Sequence, residues 1–195
     1  LILNIVISSF NSVWLPMFNE LMDSNKKNKF QIINNKLIQF TLVLVLICLI
    51  GQLFNKEIIT MVVAKSYNRA MSYLPYIWFG IIFTGISQFF KNILIYYQDT
   101  QFLPLLTLFS TLINISINII FIPHYGAMVA VFSTIISFLF TTFLLVLLIS
   151  FKYKEYNFDY SKLFFIILFE MNPFLIYLLN LEIGLTTFIL KIIYL

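Results

Sequence analysis

The stretch that decides the fold is residues 102–149, FLPLLTLFSTLINISINIIFIPHYGAMVAVFSTIISFLFTTFLLVLLI, in which two apolar runs flank the turn Pro123-His124-Tyr125-Gly126. A helix needs about 20 apolar residues to cross a hydrocarbon core of about 30 Å, and each run has that length. The runs are continuous rather than alternating, which favours helices over the strands of a membrane barrel. Proline and glycine are typical of the turn between them. The stretch therefore predicts a transmembrane helical hairpin, with spans at about 102–122 and 127–149.

Similar apolar runs lie on both sides of this hairpin. They predict further spans at about 1–18, 36–54, 74–97, 163–179 and 183–195. Of the 195 residues, 61% are hydrophobic and 10% are charged, whereas a soluble domain has about 25% charged residues. A soluble fold cannot bury so much apolar surface, because its outer faces are wetted. The sequence predicts an all-α membrane protein, a polytopic transmembrane helix bundle of about six or seven spans.

Basic residues are distributed unevenly over the loops between these spans. Loops 19–36, 98–101 and 150–162 contain seven of them, whereas loops 55–72, 123–126 and 180–182 contain three. The seven are Lys26, Lys27, Lys29, Lys36, Lys152, Lys154 and Lys162, and the three are Lys56, Lys65 and Arg69. Loops rich in Lys and Arg stay in the cytoplasm. The first set of loops is therefore predicted to be cytoplasmic.

The sequence shows no set of residues that is suited to catalysis or metal binding. His124 is the only histidine and Cys48 the only cysteine, so neither a disulfide within the chain nor a usual zinc site is possible. A Gly-rich phosphate-binding motif is absent, as is a basic cluster interleaved with aromatics. We predict that the protein is not an enzyme, uses no cofactor and binds no nucleic acid.

Polar side chains recur at helical spacing in three of the predicted spans, and a spacing of three or four puts them on one helix face. The polar residues are Asn4, Ser8 and Ser12 in the first span, with Asn11 close by. They are Thr107, Thr111, Asn114 and Asn118 in the fourth span, and Ser133, Ser137 and Thr141 in the fifth. Two interpretations are open. The faces can line a hydrated cavity for a polar head group, or they can mediate contacts between helices.

Three charged residues, Lys91, Glu170 and Lys191, lie in or near predicted spans, where charge is costly and often functional. Lys91 precedes Tyr97 by six residues, a depth of about 9 Å that a lysine can cover by snorkelling to the interface. Glu170 lies near the middle of the sixth span and is the candidate coupling residue. Three states of this side chain are open: it can be protonated, pair with a lysine or face water. Pro173 nearby also allows the segment to bend or to lie partly in the interface.

The stretch from Asn114 to Ala130, with Asn114, Asn118 and Ile122-Pro123-His124-Tyr125-Gly126, resembles a recurrent segment of the polysaccharide flippases. In that family an N-x-x-x-N helix runs into I-P-x-Y-G and a helix start with small residues. Trp14-Leu15-Pro16 before a Lys-rich loop, and Ser66-Tyr67-Asn68-Arg69-Ala70 before a span that opens at Leu74-Pro75, are also similar to the family. The resemblance covers about residues 1–150. It departs at Val129, where the family usually has a second glycine.

This O-antigen/teichuronic-type flippase family belongs to the multidrug/oligosaccharidyl-lipid/polysaccharide exporter superfamily and has two six-helix lobes that face a central cavity. The resemblance implies that residues 1–150 are second-lobe helices and that 151–195 are an appended C-terminal helix pair. The chain would then be a C-terminal fragment whose N-terminal lobe is missing.

The resemblance also implies a function, the flipping of undecaprenyl-diphosphate-linked oligosaccharide repeat units across the bacterial cytoplasmic membrane. Membrane lipids and the lipid-linked oligosaccharide are the implied partners. The resemblance and the polar faces together predict which residues line the substrate cavity: Ser8, Asn11, Ser12, Asn114 and Asn118. Three alternatives remain open: a cation-coupled multidrug exporter of the same superfamily, a membrane-embedded glycosyltransferase or polymerase, and a structural membrane subunit.

Overall fold

The structure is a computed structural model that describes residues 2–55 and 73–178. This part of the chain forms six helices and contains no strand. They are α1 (Ile2–Asp23), α2 (Lys29–Leu53), α3 (Leu74–Tyr96), α4 (Phe102–Tyr125), α5 (Met128–Lys152) and α6 (Tyr160–Leu178). Four of them, α2 to α5, are long and apolar enough to cross a membrane. The predicted all-α polytopic membrane fold is confirmed. The predicted span at 183–195, Lys191 and the Ser66–Ala70 motif lie outside the described residues.

Helices continue past the ends of the predicted spans. α1 runs to Asp23 and α2 begins at Lys29, so only five residues (24–28) of the Lys-rich loop separate them. Pro16 lies inside α1 rather than at its end. The apolar run marks only the part of a helix that crosses the hydrocarbon core, whereas backbone hydrogen bonding continues into the polar interface.

The turn after α4 is shorter than the predicted one. Pro123 and His124 belong to the last turn of α4, and the helix ends at Gly126, which has φ +73°. A residue with positive φ commonly ends a helix, and glycine adopts this conformation at the lowest cost. Gly126 therefore ends α4, and α5 begins two residues later.

Helix α3 lies at the centre of the bundle and packs against α1, α2, α5 and α6. Glycines allow two of its close contacts. A Cβ on Gly85 of α3 would lie 2.3 Å from Cδ1 of Leu44 on α2, and a Cβ on Gly80 would lie 3.0 Å from Cγ1 of Ile135 on α5. By contrast α4 packs against α5, and most of its side chains are exposed.

Polar contacts join three of the connecting segments at one end of the bundle. The Tyr96 hydroxyl donates to Asp23 at 2.7 Å, and Nζ of Lys152 lies 2.6 Å from Oδ1 of Asp99. Tyr153 also donates to Asp99, and the hydrogen bonds of Lys152 and Tyr153 lower the pKa of that carboxyl. The loops that are rich in lysine are therefore at the same end. Their cytoplasmic location stays a prediction.

Candidate functional site

Helix α3 is open along one narrow face. Between Ile77 and Ile95, and apart from Trp78, the residues that keep some exposure recur at spacings of three and four. They are Ile77, Ile81, Thr84, Gln88, Lys91 and Ile95. This spacing puts them on a single helix face. The open face is apolar at its start and polar in its middle, where Thr84, Gln88 and Lys91 follow one another.

A cavity of about 400 Å³ lies over the first half of this face, between α1, α3 and α5. Its lining is mostly apolar. The lining residues are Asn4 of α1, Ile77, Gly80, Ile81 and Thr84 of α3, and Ala130, Val131, Thr134, Ile135 and Phe138 of α5. We call this cavity, together with the rest of the open face of α3 (Gln88, Lys91 and Ile95), the α3 groove. Thr84 Oγ1 is buried and has no hydrogen-bond partner within the described part of the chain.

A second, lower polar level lies further along the α3 groove, towards the C-terminal end of α3. Asn11 and Lys91 each follow a polar cavity-lining residue of the same helix by seven positions, which is two helical turns or about 10 Å. Residues seven apart lie on the same face. Nδ2 of Asn92 donates to Oδ1 of Asn11 at 2.7 Å, so α1 and α3 are at the same depth there. We assign the lower level of the groove to Asn11 and Lys91. Thr141 lies nearer to Thr84, because the neighbouring Thr142 donates to the Phe83 oxygen at 2.9 Å.

Lys91 supplies the charge at this level. It is partly exposed, and within the described residues it has neither a hydrogen bond nor an ion pair. A charged side chain inside a membrane-spanning helix is costly unless it is solvated or paired, and such residues often mark a ligand pathway. Lys91 is therefore available to an anionic ligand in the groove as well as to the interface.

The predicted cavity residues of α1 differ in their exposure and contacts. Ser8 and Ser12 are exposed, and their hydroxyls donate to backbone oxygens of their own helix, Ser8 to Ile5 and Ser12 to Ser8, each at 3.0 Å. Asn11 is half-buried and contacts α3 through Asn92. Of the predicted residues on α1, Asn11 is the one that makes a polar contact with a neighbouring helix.

Asn114 and Asn118 lie elsewhere, between α4 and α5. Asn114 Nδ2 donates to Ser133 Oγ at 3.2 Å, and Ser133 Oγ donates to Asn118 Oδ1 at 2.7 Å. Asn118 Nδ2 closes the ring by donating to Asn114 Oδ1 at 3.0 Å. These contacts favour the helix-packing interpretation of the polar faces in the fourth and fifth spans. Lining of a substrate cavity by Asn114 and Asn118 stays a prediction.

Glu170 lies where α6 meets α2 and α3. Its side chain is fully buried, and its Oε1 accepts a hydrogen bond from Gln52 Nε2 at 2.6 Å. The same amide donates to the backbone oxygen of Pro75 at 3.2 Å. Glu170 does not line the α3 groove cavity, and its coupling role stays a prediction.

Thr84 and Gln88 of α3 are site residues that the sequence pattern did not predict, and for Lys91 the pattern indicated snorkelling to the interface. The signal was present, because Thr84, Gln88 and Lys91 follow the same spacing of four and three as the other polar faces. The apolar residues around them obscured it.

Comparison with known proteins gives one family. The MatE family model matches residues 23–120, about half of the chain, and this range includes α2, α3 and most of α4. No curated protein and no solved structure matches the chain.

Proposed function

Because this chain belongs to the MatE family, whose members are transporters of the multidrug/oligosaccharidyl-lipid/polysaccharide exporter superfamily, we propose that it is part of a lipid-linked oligosaccharide flippase. Family membership and the four membrane-length helices support a multi-pass membrane exporter. The substrate in this proposal is an undecaprenyl-diphosphate-linked repeat unit for surface polysaccharide, and the membrane is the bacterial cytoplasmic membrane.

The observation that supports this substrate is Lys91 in the α3 groove. Its ammonium group has no acidic partner among the described residues, and charges in a groove between membrane helices interact more strongly than in bulk water. A cation in such surroundings attracts an anion strongly and repels another cation. A diphosphate head group carries the complementary charge, whereas a cationic drug carries the wrong one.

The neutral residues of the lower level suit a sugar. Asn11 and Gln88 present amide groups near Lys91, and the exposed Ser8 and Ser12 add hydroxyl groups along α1. Sugar hydroxyls are both donors and acceptors, and amides and hydroxyls can satisfy both. In our proposal the head group crosses along this polar surface while the lipid tail stays in the bilayer.

Transport in this proposal needs the other lobe of the full protein. The α3 groove would form one wall of a central cavity that faces the two membrane sides in turn as the lobes rock against each other. A chain with one wall would not transport by itself.

A multidrug exporter of the same superfamily is the second candidate. The upper part of the groove favours it, because Ile77, Ile81, Val131, Ile135 and Phe138 offer an apolar surface to a ring-containing molecule. An apolar pocket with few polar groups is typical of small-molecule sites. The lysine at the lower level is the feature that this candidate does not explain.

The full-length gene in a deletion strain tests the proposal. Surface polysaccharide and the lipid-linked repeat units on the cytoplasmic face are measured for wild type, Lys91→Gln and Lys91→Arg. We expect Lys91→Gln to reduce surface polymer by about tenfold or more and to trap repeat units inside, because one lost charge contact is worth about 1.4 kcal/mol or more. Lys91→Arg keeps the charge and should retain most of the export.

Lys154→Gln is the matched control, since it removes the same charge from an exposed residue outside the groove. It should export like wild type. If deletion leaves surface polysaccharide unchanged but sensitises the cells to cationic drugs, the flippase proposal is wrong and the multidrug exporter takes its place.

A further inference from the structure

Glu170 and Gln52 form a buried pair between α6 and α2. Glu170 has no exposed surface, and its Oε1 lies 2.6 Å from Gln52 Nε2. Gln52 Nε2 also donates to the Pro75 oxygen at 3.2 Å, at the first turn of α3. Three helices therefore meet at one carboxyl group.

Each partner of this pair has one atom without a hydrogen bond. Glu170 Oε2 and Gln52 Oε1 are both buried, and neither has a donor among the described residues. Both oxygens are acceptors when the acid is ionised, so neither can satisfy the other. Two orphaned acceptors on adjacent groups are unfavourable, since each loses its water without a replacement.

An ionised Glu170 would also lack a counter-charge in this part of the chain. On α2 the nearby titratable group is Cys48, whose thiol donates to the Trp78 oxygen at 3.4 Å, and on α3 Tyr76 follows Pro75. Neither is a cation at neutral pH, and no described Lys or Arg forms an ion pair with Glu170. The charged residues of the interval 56–72 lie outside the described residues. Burial of an unpaired carboxylate is strongly unfavourable.

We propose that Glu170 and Gln52 form a proton-binding site. A proton taken from water onto Glu170 Oε2 makes that atom a donor to Gln52 Oε1, while Gln52 Nε2 continues to donate to Glu170 Oε1. One proton then satisfies both orphaned oxygens and closes a ring of two hydrogen bonds between acid and amide. Loss of the proton to water leaves a carboxylate oxygen facing an amide oxygen, and this repulsion loosens α6 from α2.

This site is separate from the α3 groove, and the proposal does not depend on the identity of the exported substrate. Its ligand is a proton. Its effect is that the contact of α6 with α2 and with the start of α3 depends on pH.

Infrared difference spectra test whether Glu170 binds a proton. They are recorded over a pH series on the full-length protein in lipid nanodiscs. Wild type should show the carbonyl band of a protonated carboxyl group, and Glu170→Gln should lack it. Gln52→Leu should keep the band but shift it to higher frequency, because the carbonyl of the acid loses its hydrogen bond. Glu20→Gln, at an exposed glutamate of α1, is the control and should leave the band unchanged.

Spin labels at two exposed positions, Ile50 on α2 and Leu168 on α6, measure the helix contact in the same preparation. Cys48 is fully buried, so labelling selects the introduced cysteines once any cysteine of the full-length protein outside this chain has been replaced by serine. The distance should lengthen at alkaline pH in wild type. In Glu170→Gln it should stay short at every pH, because the amide that replaces the acid is a permanent donor to Gln52 Oε1.

Two results would overturn the proposal. If Glu170→Gln leaves every carboxyl band in place, Glu170 is ionised and paired with a cation. If added sodium removes the band at constant pH, the site takes a metal cation in place of the proton.

Discussion

The side-chain amide of Asn92 on α3 donates a hydrogen bond to the side chain of Asn11 on α1 at 2.7 Å, one residue from Lys91. Asn92 is fully buried, and its own Oδ1 has no partner within the described residues. A polar contact between two membrane helices fixes their relative depth, since the alternative is an unpaired amide in hydrocarbon. The same contact brings Asn11 to the level of the one charged side chain on the open face of α3.

We expect Asn11→Ala to destabilise the protein by about 1 kcal/mol, since Asn92 would lose the hydrogen bond of its Nδ2 while its Oδ1 already lacks one. Thermal unfolding of the detergent-solubilised protein measures this change. Ser8→Ala is the matched control, because the Ser8 hydroxyl donates only to the backbone of its own helix. Equal melting temperatures for the two variants would contradict a structural role for the Asn92–Asn11 bond.

The ring of Asn114, Asn118 and Ser133 should hold α4 against α5. Ser133→Ala removes the acceptor of Asn114 and the donor to Asn118, so we expect a loss of about 0.6 to 1.7 kcal/mol, the range found for hydrogen bonds between membrane helices. A double-mutant cycle with Asn118→Ala measures the coupling energy.

Ser137→Ala serves as the control for this cycle, because the Ser137 hydroxyl donates to the Ser133 backbone oxygen of the same helix. A coupling energy near zero between Ser133 and Asn118 would show that the ring does not stabilise the α4–α5 contact.

Two glycines of the core should differ in their response to alanine. A Cβ on Gly51 would lie 2.7 Å from the Trp78 ring, whereas a Cβ on Gly85 would meet the flexible end of Leu44 at 2.3 Å. An indole ring cannot turn away as a leucine methyl can, so we expect Gly51→Ala to cost about 1 to 3 kcal/mol, and Gly85→Ala less. Thermal unfolding of both variants decides the order, and the reverse order would contradict this packing.

Acid should weaken the contact between the connecting segments at Asp99. Hydrogen bonds from Lys152 and Tyr153 lower the pKa of Asp99 below its ordinary value. A carboxyl group with a lowered folded-state pKa contributes stability that is present above its unfolded pKa of about 3.9 and is lost as pH falls through the folded value. The contribution is small, because the pair is screened by solvent.

Melting temperatures from pH 7 down to the acid limit of the wild-type protein measure this contribution. Asp99→Asn should flatten the acid side of the curve, and Lys152→Gln should flatten it in the same way because it removes the partner. An unchanged acid side in Asp99→Asn would show that other carboxyl groups determine the pH dependence.

The sequence by itself was sufficient for the class of fold and for most of the helices. Hydrocarbon cannot satisfy backbone groups, so a continuous apolar run of membrane length, which lacks the alternation of barrel strands, is expected to form a helix. The runs at 36–54, 74–97, 102–122 and 127–149 therefore predict α2, α3, α4 and α5. Helix ends were less predictable: Pro16 and Pro123 lie within helices and do not end them, because a proline removes a single backbone hydrogen bond and the rest of the helix can continue past it.

The tertiary structure decided which polar faces meet. In sequence, Ser8, Asn11, Ser12, Asn114 and Asn118 look alike, because each lies on a polar face of an apolar helix. The spacing along one helix fixes the direction of a side chain relative to its own axis, but not which neighbour lies in that direction. Packing put Asn114 and Asn118 against Ser133, Asn11 against Asn92, and Glu170 against Gln52. It left Lys91 on the open face of α3 because the contacts of α1 and α5 with α3 leave that face uncovered.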